Sequence, residues 1–136
     1  MTRFAIEVAN LHKTYNKGLK SFKALNGISF SVEKGSAFGF VGANGAGKST
    51  AIKIMLDLIR ADSGQVLING VDSRDANSRH KLAFMPENPS LNEYLTPLEI
   101  LKLGINLHNI NVPNVDTYCM EWLEKLGIAD TATKTI

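Results

Sequence analysis

The stretch Gly42-Ala43-Asn44-Gly45-Ala46-Gly47-Lys48-Ser49-Thr50 constrains this chain more than any other. It fills every fixed position of the phosphate-loop pattern G-x-x-x-x-G-K-[ST], at Gly42, Gly47, Lys48 and Ser49. Ala37-Phe38-Gly39-Phe40-Val41 precedes it as an apolar run that predicts a buried strand, and Thr50 to Ile59 follows it with a helical pattern. In a strand–loop–helix setting, glycines let backbone N–H groups close on phosphate oxygens, aided by the positive end of the following helix. Lys48 would then reach the terminal phosphates and the Ser49 hydroxyl would be a ligand for magnesium, which takes few protein oxygens and keeps waters. The alternative is a glycine-rich turn that only joins strand to helix. The full pattern in this context predicts binding of a nucleoside triphosphate.

The rest of the composition narrows the class. With 136 residues, 44% hydrophobic and 21% charged, the chain is expected to form one soluble globular domain. A net charge of +2 does not mark a nucleic-acid or membrane-surface binder. No apolar run approaches the roughly 18 residues of a transmembrane helix, so membrane association is expected only through a partner. Met1 to Glu7 lacks the apolar centre of a signal peptide, which points to the cytoplasm. Cys119 is the single cysteine, excluding an intrachain disulfide, and sits in a helical pattern as a packed apolar residue.

Along the chain, Ala5 to Val8 and Ile28 to Val32 read as strands, and Glu33-Lys34-Gly35 as a turn toward the phosphate-loop strand. Asp62-Ser63-Gly64 breaks the chain after the first helix. Gln65 to Ile68 then reads as a strand closed by Asn69-Gly70, a strong hairpin signal. Leu82 to Met85 reads as a further buried strand stopped by Pro86. Thr96-Pro97-Leu98-Glu99 combines a cap threonine, a first-turn proline and a glutamate three residues on, predicting a helix start. Val115, Cys119, Trp122, Leu123 and Leu126 mark a second helix that Gly127 would stop.

These segments together resemble the nucleotide-binding domain of ABC transporters. Asn44 and Ala46 are similar to that family's version of the phosphate loop. Ala24-Leu25-Asn26-Gly27-Ile28-Ser29-Phe30 and Ser63-Gly64-Gln65-Val66-Leu67-Ile68-Asn69-Gly70 look like its stock phrases. Leu11-His12-Lys13-Thr14-Tyr15 resembles its aromatic A-loop. The resemblance implies an α/β P-loop NTPase fold of ABC type with an antiparallel β subdomain and the start of an α-helical subdomain. Residues 1–136 would be the N-terminal part of the domain, with 1–91 a strand-rich core carrying the loop and 92–136 the beginning of the helical subdomain. It implies ATP held by Gly42, Asn44, Gly45, Ala46, Gly47, Lys48, Ser49 and Thr50, with Tyr15 stacked on adenine, a contact worth on the order of 1–3 kcal/mol by analogy with stacked bases. The alternative for Tyr15 is an ordinary half-buried loop tyrosine. Phe84-Met85-Pro86-Glu87-Asn88 takes the place of the Q-loop, where Glu87 departs from the usual glutamine yet keeps an oxygen for Mg2+. That departure leans toward export; its alternative is a surface carboxylate at a strand end. The implied partners are a transmembrane permease subunit and a second nucleotide-binding domain, on the cytoplasmic face of the membrane.

Three of the family's elements have no counterpart in these 136 residues: the LSGGQ-like signature, the apolar Walker B strand ending in Asp-Glu, and the switch histidine. Ile54-Met55-Leu56-Asp57 falls inside a helix, Leu126 to Asp130 follows one, and Val71-Asp72 follows a hairpin turn. His12, His80 and His108 fit no relay. The expectation is the front portion of a domain that binds ATP without appreciable turnover, since nothing present positions the attacking water. The rival readings are a non-catalytic nucleotide-binding piece, a complete small P-loop kinase or GTPase, which lacks the needed Asn-Lys-x-Asp, and a soluble ABC relative of translation or DNA repair.

Overall fold

Two 14-residue strands, β1 (Phe4–Lys17) and β2 (Lys20–Glu33), open the chain in the computed structural model, which describes residues 2–135. They pair antiparallel from Phe4 with Glu33 to Lys17 with Lys20. The two-residue turn between them needs a left-handed residue, and Gly18 supplies it at φ +60°. This hairpin is far longer than the expected strands Ala5 to Val8 and Ile28 to Val32, because polar residues such as Lys13, Thr14 and Asn16 continue the ladder on a partly solvated sheet.

β3 (Ser63–Ile68) lies antiparallel to β1, with Val8 opposite Val66, and Asn69-Gly70 turns it into β4 (Val71–Asp72). Both turn residues have positive φ, 52° and 83°, as a hairpin of this type requires. The sheet order is β2-β1-β3-β4. One face carries α1 (Lys48–Met55), whose Ala51 and Ile54 pack with Val8, Leu11, Leu25, Val66 and Ile68 into the core of this unit. The helix begins two residues earlier and ends four earlier than the run Thr50 to Ile59. Asp57 stops it by adopting φ +57°, a conformation that Asp tolerates better than most residues.

Two expected strands are not formed. Ala37–Val41 and Leu82–Met85 belong to no ladder. Their apolar pattern is real, but a strand needs a neighbour and none of the described residues pairs with them. Phe38 instead stacks on Phe30, with ring centroids 5.5 Å apart, and Phe40 packs on it at a tilt, 5.2 Å away.

The chain divides into two compact units after Phe84. The second is a helical pair, α2 (Pro97–Leu107) and α3 (Val115–Lys125). α2 starts as the sequence predicts: the Thr96 hydroxyl accepts from Glu99 N–H, and the Glu99 carboxylate accepts from Thr96 N–H at 2.8 Å. Asn114 caps α3 by accepting from Thr117 N–H, and Gly127 follows at φ +72°. Ile105, Cys119 and Leu123 are buried between the two helices, and Lys102 pairs with Asp116 across them at 2.5 Å. Burial raises the Cys119 thiol pKa. Among the described residues no helix is long and apolar enough to cross a membrane.

Candidate functional site

The phosphate loop wraps into the start of α1. Gly45 and Gly47 both have strongly positive φ, 83° and 89°, so the chain turns twice where a side chain would resist. Gly47 is also needed for space: a Cβ there would meet the Ala24 carbonyl oxygen at 2.3 Å and Leu25 Cδ2 at 2.7 Å. The loop is thus seated directly on β2.

Ala46 N–H donates to the Ala43 carbonyl at 3.1 Å, and Ala51 N–H to the Gly47 carbonyl at 2.9 Å, bracketing the turn. Among the described residues, no hydrogen bond uses the N–H of Gly45, Gly47, Lys48, Ser49 or Thr50. Five donors at the positive end of a helix make a ready cradle for an anion. Lys48 folds back over the loop, its Nζ donating to the Gly42 and Ala43 carbonyls at 2.5 and 2.8 Å. Asn44, Gly45, Ala46 and Ser49 are exposed, while Gly47, Lys48 and Thr50 are half-buried.

Tyr15 lies within β1, opposite Phe22, and is 41% exposed. It is a strand residue, where both the A-loop resemblance and its alternative expected a loop. A short path leads to it from the loop. Gly47 abuts Ala24 and Leu25, Leu25 pairs with Lys13 on β1, and Tyr15 stands two residues further on the same face. Tyr15 and the loop are therefore joined through one pair of strands.

Glu87 belongs to the second unit, is exposed, and makes no hydrogen bond or ion pair among the described residues. The described residues hold no group of three or more His, Cys, Asp or Glu able to bind a metal ion. Hydroxyl and carboxylate oxygens, as on Ser49 and Glu87, still suit Mg2+, which needs only one or two protein ligands beside phosphate and water.

Sequence reasoning overlooked Asp62. Its carboxylate accepts from Lys13 Nζ at 3.0 Å and from Thr14 N–H at 2.6 Å, while its own N–H donates to the His12 carbonyl at 2.9 Å. The Lys13 hydrogen bond, followed by that from Thr14, holds this carboxyl below the usual range. Lys13 Nζ lies 5.7 Å from the centre of the Tyr15 ring. The partners are 49 and 48 residues apart, so no local pattern announces them.

The family model for ABC transporters matches residues 25–136. This chain belongs to the ABC transporter family. A daunorubicin resistance ATP-binding protein of Streptomyces coeruleorubidus is 32% identical over 100% of this chain and 42% of its own length. An ABC transporter ATP-binding protein of Nostoc sp. is 33% identical over 94% of this chain and 39% of its own. A methionine import ATP-binding protein of Pseudomonas fluorescens is 32% identical over 95% and 41%. A solved ATP-binding subunit of an ABC transporter superposes with a TM-score of 0.80 at 28% identity, over 96% of this chain and 54% of that one. The ABC cassette fold is thereby shown. The chain spans about two fifths of the length of these curated relatives (39, 42 and 41%).

Proposed function

We propose that this chain is the ATP-binding front of a transporter motor subunit that couples ATP binding and hydrolysis to export. The observation that carries ATP binding is the loop itself: five N–H groups leading into α1 make no hydrogen bond among the described residues, and the Lys48 ammonium folds back over the same loop. Those donors match the oxygens of a triphosphate, and Lys48 would exchange two neutral carbonyls for charged oxygens, a stronger hydrogen bond. Tyr15 supplies the surface for the base. Ser49 and Glu87 would hold magnesium, which when bound neutralises charge on the phosphates.

Residues 1–91 serve as the nucleotide-binding core and 92–136 as the beginning of the helical subdomain. In this reading the partners are a transmembrane permease subunit and a second nucleotide-binding domain, placing the chain on the cytoplasmic face of the membrane through its partner. Export is supported by Glu87 standing where the family's Q-loop commonly carries glutamine. A relative of equal identity named for methionine import supports the reverse direction. Because these 136 residues contain neither the signature nor the Asp-Glu strand, this chain alone binds ATP without appreciable turnover.

Titration with magnesium-ATP of the parent and of Lys48→Ala tests the reading. Binding is expected in the parent and lost in the variant. Equal affinities would overturn the phosphate-loop assignment, and phosphate release by the parent above the variant's background would favour the complete kinase or GTPase.

A further inference from the structure

Asp62 has no part in holding phosphate or magnesium, yet its partners on β1 adjoin Tyr15. Three groups of β1 converge there. The Asp62 carboxylate accepts from the Thr14 backbone and from the Lys13 ammonium, and the Asp62 N–H is bonded to the His12 carbonyl. The segment leaving α1 is thus stitched to three consecutive residues, His12, Lys13 and Thr14, next to Tyr15. Lys13 and Tyr15 are two apart on one strand and share a face. Held by Asp62, the Lys13 side chain is only 17% exposed and lies within cation–π range of the Tyr15 ring.

We propose that Asp62 and Lys13 are positioning residues for the base of the bound nucleotide: Asp62 pins the Lys13 ammonium against the Tyr15 ring and so fixes the ring as a platform. The inference rests on the reading of Tyr15 as that platform. A free tyrosine on a partly solvated strand samples several χ1 wells, and stacking on it must first select one. Lys13 removes that choice, and Asp62 removes the larger freedom of Lys13, whose stem would otherwise sweep through solvent. The Thr14 bond fixes the backbone between them. Because Asp62 lies seven residues past the end of α1, the helix that begins at the phosphate loop and the strand that bears the base platform are held in one register.

The test separates base from phosphate. ATP and inorganic tripolyphosphate, each with magnesium, are titrated into the parent and into Tyr15→Ala, Lys13→Met and Asp62→Asn. Lys13→Met keeps the apolar stem and removes only the cation; Asp62→Asn keeps an acceptor for Thr14 N–H and removes the charge that holds Lys13. Both are expected to weaken ATP roughly three- to tenfold, a part of the full stacking range, with tripolyphosphate unchanged within about twofold. Tyr15→Ala is expected to weaken ATP alone, and by more.

If Tyr15→Ala is selective while Lys13→Met leaves ATP unchanged, the positioning role is wrong and the platform stands. If Lys13→Met weakens both ligands equally, its part is merely structural and the proposal falls. If Tyr15→Ala does not discriminate between the ligands, the platform reading falls first and takes the proposal with it. A loss of folding in Asp62→Asn appears as loss of both ligands, and Lys13→Met then decides.

Discussion

Gly47 shows how much a single residue carries. Its φ of 89° and the 2.3 Å that a Cβ would leave to the Ala24 oxygen are independent reasons for glycine, one conformational and one steric. The nearer obstacle, the Ala24 carbonyl oxygen, is backbone of β2 and cannot yield cheaply. Gly47→Ala is expected to lower stability by on the order of 1–3 kcal/mol and to abolish ATP binding, checked by a thermal melt beside a titration. The phosphate loop was legible in the sequence because its chemistry is local: nine consecutive residues hold both the glycines and the lysine. The steric role of Gly47 and the Asp62–Lys13 pair were not legible, because the first depends on Ala24 and the second on a contact 49 residues away.

The same division between local and distant determinants governs the elements. Thr96, Pro97 and Glu99 announced the start of α2 to the residue, and Asn69-Gly70 announced the β3–β4 turn, since caps and tight turns are built from neighbours. Thr96→Ala removes a reciprocal cap and is expected to cost about 1 kcal/mol. Trp122, the only tryptophan, lies on α3 and lines a cavity with Ile100, Leu101 and Ile105 of α2, so its fluorescence in a urea titration reads the loss as a lower midpoint with an unchanged slope. An unchanged midpoint would mean the cap is idle. The strands were harder. β1 and β2 run past their apolar cores because their ladder, and not their composition, defines them. Ala37–Val41 has the composition of a strand but no ladder.

At the scale of the whole molecule the apolar surface stands out. Phe38, Val41 and Phe84 are 50, 92 and 50% exposed, and all three lie in apolar runs that join no ladder. An apolar strand-like run without a ladder invites pairing with another chain. The protein is expected to associate as its concentration rises, and Phe38→Lys with Val41→Lys to suppress this in sedimentation runs; association undiminished in the double variant would place the contact elsewhere. The opposite extreme is Cys119, fully buried between α2 and α3, its thiol pKa raised by burial, and the one sulfhydryl of the chain. A thiol reagent reaches that sulfur only while the two helices are parted, so the pace of its capture is a built-in clock for the breathing of the helical pair. Any cysteine introduced elsewhere on the surface reacts long before the clock has moved, which leaves the chain ready for single-site labelling without first removing its own.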